Sequence, residues 1–202
     1  AVRLAVLALA GFAAGAMAAM AVLPQARERL LPAGNVRVSG EARIGGPFAL
    51  TDQNGRRVTD ADFRGRTMLI VFGSTSAPDA TAPSLQVISA ALARLGPKAE
   101  GVVPILIAID PENDTPERLR RYIAGFHPRL VGLTGTPSQI AAVLAAYRVA
   151  GVRKRGEQAS PAGYTMEAPS RIYVMGPDGR YRRHLSFAAG AAAVAASLAD
   201  ML

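Results

Sequence analysis

The residues with the best position for chemistry follow a short apolar run at 68–72, which predicts a buried strand. A helical pattern begins at Pro83, so the intervening loop connects a central strand to a helix. In α/β folds, a loop of this kind commonly carries the reactive groups. Here it contains no Cys, no His and one carboxylate, Asp79, which we interpret as a cap of the helix that follows. The loop therefore has the position of an active site and few of the residue types that do chemistry.

Two other features carry groups that could hold a metal ion. Asp110, Glu112 and Asp114 form an acidic stretch after a second apolar run, and carboxylate oxygens suit a hard cation. Met166 offers a thioether, which can bind Cu(I). The sequence shows no Ser–His–Asp set, phosphate-binding loop or zinc-ligand spacing. Both alternatives stay open from the residues alone.

The composition excludes several classes of function. The 202 residues include no Cys, which rules out disulfides, thiol catalysis, thiolate metal ligands and iron–sulfur clusters. The formal net charge is +8 and comes almost entirely from Arg. The basic residues are scattered and no aromatic residues alternate with them, so we expect no nucleic-acid binding. The charge favours an anionic partner, lipid headgroups or simply a solvated surface.

The N-terminal segment predicts a membrane anchor at 1–23. Residues 4–23 form an uncharged run, and about 20 apolar residues suffice to span a bilayer. A cleaved signal peptide with a cleavage site near 16–18 is the competing interpretation. Gly11 and Gly15 are four residues apart, which allows close packing against a second helix in the membrane. Basic residues flank the run on both sides, so the charges do not decide its orientation.

The remainder predicts a linker at 24–44, with one short strand at 35–38, and an α/β domain at 45–202. The domain opens with a hairpin at 48–58, whose turn is Asn54-Gly55, and a helical turn at 60–63. Strands and helices then alternate, which is typical of a sheet with helices on both sides. The predicted strands are 66–72, 102–110, 130–133, 170–175 and 181–187; the predicted helices are 83–95, 116–126, 137–147 and 191–202; a loop spans 151–163.

The motifs of this domain, taken in order, resemble those of the Sco/SenC family. The stretches that carry the resemblance are 46–56, 62–66, 71–73, 78–79, 109–116, 133–140 and 172–179. The family consists of membrane-anchored proteins with a thioredoxin-like fold, which act as copper chaperones or thiol reductants in cytochrome oxidase assembly. The resemblance therefore implies a thioredoxin-like fold, and it implies that the acidic stretch is a structural loop.

The same resemblance locates three positions that bind copper in the family. Two are cysteines four residues apart, which align with Ala77 and Thr81. The third is a histidine, which aligns with Ala168. Neither alanine can bind a metal, and a threonine hydroxyl is a poor ligand for copper. We therefore predict a degenerate copper site with no catalytic residue, no metal and no cofactor.

Two functions follow from this combination of a retained frame and missing ligands. The first is a non-catalytic accessory or scaffold subunit of a respiratory-chain or membrane dehydrogenase complex. Its partner would be an integral membrane complex, bound through the N-terminal helix and the soluble domain. The alternative is a copper-handling assembly factor for cytochrome oxidase that uses a divergent site. In either case we expect a single-pass protein of the inner membrane with its domain on the periplasmic side.

Overall fold

A computed structural model describes residues 44–154, 164–169 and 171–202, which form one mixed β-sheet with helices on both faces. The strands of this sheet are β1 (Ala49–Asp52), β2 (Arg57–Thr59), β3 (Thr67–Gly73), β4 (Val102–Ala108), β5 (Val131–Thr134), β8 (Arg171–Met175) and β9 (Tyr181–Ser186). Two further strands, β6 (Val152–Lys154) and β7 (Thr165–Glu167), pair with each other in a separate small sheet. The helices are α1 (Pro78–Leu95), α2 (Pro116–Ile123), α3 (Pro137–Tyr147) and α4 (Gly190–Ala199).

The large sheet has the strand order β2-β1-β5-β4-β3-β8-β9. Its centre is parallel, since β3 pairs with β4 and β4 with β5 in the same direction, whereas β1 and β8 run antiparallel to their neighbours. Every residue of β3 and β4 is buried, as expected for strands covered on both faces. One apolar layer packs under α1, α2 and α4, and the other packs under α3 and a 3₁₀ turn at Asp60–Phe63.

The predicted helix starts at 116 and 137 are confirmed, and each is preceded by a capping threonine. The Thr115 side chain accepts a hydrogen bond from the Arg118 N–H at the start of α2. Thr136 and Gln139 form a capping box at the start of α3. The hairpin of β1 and β2 is also confirmed, with Gly55 in its turn at a φ of 80°.

The predicted start of α1 is wrong. The helix begins at Pro78 and contains Pro83, whereas the sequence pattern predicts Pro83 as its first residue. Proline at the first helical position loses no hydrogen bond, whereas Pro83 removes one N–H from the second turn. Asp79 consequently lies in the first turn of α1 and does not cap a later helix. A carboxylate there interacts favourably with the positive end of the helix dipole.

The predicted loop at 151–163 is wrong at its beginning, because β6 occupies 152–154 and pairs with β7 beyond it. Three further predictions lie outside the described residues: the membrane span at 4–23 with Gly11 and Gly15, the strand at 35–38 and the rest of that loop. Among the helices that the structure describes, none has the length and hydrophobicity to span a membrane. The anchor and the domain boundaries therefore remain predictions.

The sheet brings three separate segments to one edge. The loops after β3 and β4 leave the same edge because these strands are parallel and in register from Thr67↔Val102 to Gly73↔Ala108. Strand β8 runs the opposite way, with Ile70 opposite Tyr173, so its first residues reach that edge as well. The residues just after β7 and before β8 therefore lie near the loop between β3 and α1.

Gly73→Ala should destabilise the domain by about 1–3 kcal/mol, because an overpacked atom must displace its neighbours. A Cβ on Gly73 would lie 2.6 Å from both Cγ2 and Oγ1 of Thr81. Urea unfolding of the full chain in mild detergent measures the cost. Gly101→Ala is the matched control, since its nearest neighbour would be Leu202 Cδ2 at 3.8 Å. If Gly73→Ala costs as much in a Thr81→Ala background as in the wild type, the contact with Thr81 is not its cause.

Candidate functional site

The three predicted ligand positions lie at this edge of the sheet, two of them at the start of α1 and the third just after β7. Ala77 is the N-cap residue of α1 and is 8% exposed. Thr81 lies within α1 and is 2% exposed. Ala168 follows β7 directly and is half-buried against the apolar layer below α3. Within the described part of the chain, no group of three or more His, Asp or Glu side chains is arranged to hold a metal ion.

Thr81 has a structural role that explains its burial. Its Oγ1 accepts a hydrogen bond from the Ser74 N–H at 3.1 Å and donates one to the Ser74 carbonyl at 3.0 Å. Ser74 is fully buried just beyond the end of β3, so its backbone groups have no water to bind. The Ser74 carbonyl also accepts a hydrogen bond from the Ala77 N–H at 3.3 Å. The Thr81 hydroxyl is therefore the partner of the Ser74 N–H, shares the carbonyl with Ala77, and connects α1 to the end of the strand.

A second tie connects the same loop to the acidic stretch after β4. Asp114 Oδ1 accepts hydrogen bonds from the Thr75 N–H at 3.0 Å and from Thr75 Oγ1 at 2.5 Å. The Asp114 side chain is fully buried. Burial raises its pKa, and the nearby Asp110 adds to this effect, although the hydrogen bonds from Thr75 act in the opposite direction.

Asp110 is the centre of a further polar cluster. Its Oδ2 accepts hydrogen bonds from Asn113 Nδ2 at 2.9 Å and from Ser76 Oγ at 3.3 Å. Tyr164 Oη lies 3.0 Å from Asp110 Oδ1 and 3.1 Å from Glu112 Oε2. Burial, and then these two carboxylates, raise the pKa of Tyr164 to about 12, so the phenol stays protonated and donates.

The acidic stretch is therefore not arranged as a cation site. Asp114 is directed at Thr75, whereas Asp110 is directed at Ser76, Asn113 and Tyr164. The interpretation as a structural loop agrees with this geometry. Asp114 Oδ2 and Tyr122 Oη are buried without a hydrogen-bond partner among the described residues. Burial and the charges of Asp114 and Asp79 raise the pKa of Tyr122 to about 12.

Met166 lies at the margin of this site, in a cleft of about 190 Å³ beside Asp110. The cleft is otherwise mostly apolar, with Ile109, Ile140 and Leu144 in its wall. The two histidines of the sequence, His127 and His184, do not line this cleft. The backbone N–H of His127 donates to Ser89 Oγ on α1, and His184 pairs with Tyr181 Oη at 2.8 Å on β9. The thioether therefore has no imidazole beside it in the described cleft.

The sequence predicts which positions lack copper ligands, but it does not predict the polar groups that fill the site. The ties from Thr75 to Asp114 and from Tyr164 to Asp110 join residues 39 and 54 positions apart, and no local pattern encodes them. The sequence feature that could have indicated these contacts is the run of hydroxyl residues at 74–76, together with the carboxylates at 110 and 114 that follow a buried strand. Such residues at the ends of adjacent parallel strands are expected to meet.

The mixed sheet, its flanking helices and the loop before α1 define a Sco-type domain with a thioredoxin-like fold. The model of the SCO1/SenC family matches residues 36–202, so the chain belongs to this family. The SCO2-like protein of Rickettsia prowazekii is 37% identical over 142 residues, which are 70% of this chain and 69% of that protein. The mitochondrial SCO1 homolog 1 of Arabidopsis thaliana is 36% identical over 141 residues, and the chain spans 41% of its length.

A solved structure of ScoI from Bradyrhizobium japonicum with copper bound is similar throughout the domain. The TM-score is 0.72 at 41% sequence identity, and the match covers 79% of this chain and 99% of that chain. Copper-bound yeast Sco1 gives a TM-score of 0.71 at 27% identity and covers 78% of this chain and 87% of that chain. The present chain thus keeps the fold of relatives whose structures contain copper, and it has alanine or threonine at the positions that the sequence analysis predicts for the ligands.

Thr81→Val should destabilise the domain by about 1–3 kcal/mol, because it leaves the buried Ser74 N–H without its partner. It also removes one of the two hydrogen bonds to the Ser74 carbonyl, which keeps the Ala77 N–H at 3.3 Å. Valine keeps the size and branching of threonine, so the hydroxyl is the group being tested. Thr81→Ser is the matched control, since it keeps the hydroxyl, and it should cost less than about 1 kcal/mol. Denaturant unfolding of the full chain decides between them. A Thr81→Val variant as stable as the wild type would contradict the structural role of Thr81.

Asp114→Asn should remove a pH-dependent part of the stability. The folded-state pKa of Asp114 is raised above its usual value of 3.8, so the folded state binds this proton more tightly than the unfolded state does. The stabilisation is complete below pH 3.8 and is lost as the pH rises through the raised pKa. The free energy of unfolding of the wild type minus that of Asp114→Asn should therefore fall as the pH rises from 3.8.

Glu117→Gln is the control of opposite sign for this titration. The pKa of Glu117 is lowered, chiefly by a hydrogen bond from its own backbone N–H and then by Thr115, so its contribution grows as the pH rises. Unfolding curves across the acidic range measure both differences. A wild-type minus Asp114→Asn difference that is flat or that rises with pH would show that the folded-state pKa of Asp114 is not raised.

Proposed function

We propose that this protein takes part in cytochrome oxidase assembly as a divergent Sco-family factor. The observation that carries the proposal is the similarity of the whole domain to copper-bound ScoI, at 41% identity and a TM-score of 0.72. Fold alone would not support it, but the SCO1/SenC family model also matches residues 36–202, a range that contains the loop between β3 and α1. The family relationship favours this function over a permanent scaffold subunit.

The residues at the aligned ligand positions do not fit copper. Ala77 and Ala168 have no donor atom, and both hydrogen-bonding functions of Thr81 Oγ1 are used by Ser74. Copper handled by this protein therefore takes its ligands from a divergent site or from a partner. The Met166 thioether, at the margin of the same site, is the one soft donor that lines the described cleft.

An accessory subunit of a respiratory or dehydrogenase complex is the second candidate, and one observation favours it. The polar groups of the loop are hydrogen-bonded within the chain, from Thr81 to Ser74 and from Asp114 to Thr75. A site closed in this way acts through its surface, with no enzymatic step and no cofactor. Under either function we propose an inner-membrane anchor at 1–23, packed through Gly11 and Gly15, and a periplasmic domain bound to a membrane complex.

Deletion of the gene and purification of the oxidase distinguish the two functions. An assembly factor should lower the copper content and activity of the oxidase several-fold when absent, and it should be missing from the mature enzyme. The full chain expressed in the deletion strain should restore both quantities. A permanent subunit should instead co-purify stoichiometrically with its complex in mild detergent, with oxidase copper unchanged. Neither proposal survives if the copper content is unchanged and the protein migrates as a free monomer.

Copper loading of the purified full chain tests where the ligands come from. A variant with Ala77→Cys, Thr81→Cys and Ala168→His is the positive control for the frame. Tight Cu(I) binding by the wild type that is lost in Met166→Ala would identify a divergent site within the chain. If the control variant binds Cu(I) and the purified wild type does not, the ligands come from a partner.

A further inference from the structure

The outer side of α2 carries arginines that form no ion pair with the described residues. They are Arg118, Arg120, Arg121 and Arg129, and we call them the α2 arginine surface. Between 117 and 130 the sequence contains one acidic residue, Glu117. Arg120, Arg121 and Arg129 are exposed and Arg118 is half-buried. None of the four forms an ion pair with a residue that the structure describes, unlike Arg64 with Asp60 and Arg182 with Asp178.

The packing of α2 holds these guanidinium groups on one outward side. Leu119 and Ile123 are buried against β5, where Gly132 leaves room for them. A Cβ at Gly132 would lie 3.4 Å from Leu119 Cβ and from Ile123 Cδ1, so helix and strand are in close contact. Arg129 lies in the turn between α2 and β5. The inner side of the helix is thus fixed in the core, and the arginines border the outer side.

Local stability does not account for all four arginines. Cations in the last turn of a helix interact favourably with its dipole, which explains Arg120 and Arg121. Arg118 precedes that turn and Arg129 follows the helix. The nearby His127 adds no positive charge near neutral pH, because burial and Arg129 lower its pKa. Glu117 faces Arg120 and Arg121 and offsets one of the charges.

The character of the surface favours phosphate groups over a protein partner. Protein interfaces depend on central apolar or aromatic residues. The aromatic residues here, Tyr122 and Phe126, pack against the core with their ring centroids 5.4 Å apart. Among the described residues, the exposed large apolar side chain is Leu202, at the chain end. Guanidinium groups pair with phosphate oxygens through two parallel hydrogen bonds, and such binding needs no apolar centre.

We propose that the α2 arginine surface binds the headgroup layer of an anionic phospholipid membrane. This binding would hold the domain against the bilayer surface in a defined orientation. Each arginine near an anionic leaflet contributes about fivefold to the affinity, and the effect declines within a Debye length. The inference does not depend on copper handling or on the oxidase.

Arginine labelling of the full chain in nanodiscs tests this proposal. The probe is phenylglyoxal, and the discs contain phosphatidylcholine with or without phosphatidylglycerol. Labelling of the α2 arginine surface should be slower by about fivefold or more in the anionic discs, and added salt should abolish the difference. Arg56, Arg57 and Arg180 serve as internal controls because they are exposed on other elements. Their labelling should be the same in both kinds of disc.

A matched pair of variants completes the test. One has Gln at all four positions of the α2 arginine surface, and the other has Gln at Arg56, Arg57, Arg94 and Arg180. Hydrogen exchange at 117–130 should slow in anionic discs for the second variant and not for the first. Equal protection of all arginines, or none, would overturn the proposal. So would protection that requires added membrane proteins and no anionic lipid, since that result would identify an acidic protein as the partner.

Discussion

The hydrogen bonds between the Thr81 hydroxyl and Ser74 are the constraint on which the site depends. Strand pairing ends at Gly73, yet the next residue is still fully buried. A buried N–H and a buried carbonyl without partners would each cost about 1–3 kcal/mol. The hydroxyl of Thr81 is both donor and acceptor, so one side chain satisfies the Ser74 N–H and also bonds to the Ser74 carbonyl, which accepts a second hydrogen bond from the Ala77 N–H. A thiol is a weak donor and a weak acceptor, and it would do this poorly.

The position of α1 follows from the same constraint. Ala77 provides no side-chain cap, and the N–H groups of Ala80 and Thr81 bond to the Ala77 carbonyl. Pro78 and Asp79 suit the first turn, but these local preferences are weak. Thr81 adds a contact from within the helix to the residue just beyond β3. The helix therefore begins where the chain leaves the strand, before the proline that the sequence pattern suggested.

The prediction of the fold was most accurate where local chemistry decides the structure. Capping residues such as Thr115 and Thr136 fix helix starts within a few residues, and buried apolar runs identify the central strands. Pro83 misled the prediction because proline is common at helix starts, and here the tertiary contact of Thr81 outweighed that preference. The pair β6–β7 was missed because neither strand has an alternating pattern over its three residues.

For the site, the resemblance to the Sco/SenC family predicts that the ligand positions fall on Ala77, Thr81 and Ala168, and the residue types there offer no suitable donor for copper. That alignment stays a prediction. The replacements for the ligands could not be predicted, because hydrogen bonds such as Tyr164 to Asp110 depend on strand register and loop direction. Periodicity reports which side of an element is buried. Buried polar groups must find hydrogen-bond partners, but periodicity does not identify which group pairs with which.

The polar groups of the loop between β3 and α1 therefore stabilise the fold. Its hydroxyl and carboxylate groups bond to one another beneath the surface, so a ligand could reach them only by breaking buried hydrogen bonds. In this chain the buried hydrogen bonds of Thr81, Asp110 and Asp114 hold the loop to the rest of the domain. Recognition of a partner then falls to surfaces that remain accessible, such as the cleft at Met166 and the arginines of α2.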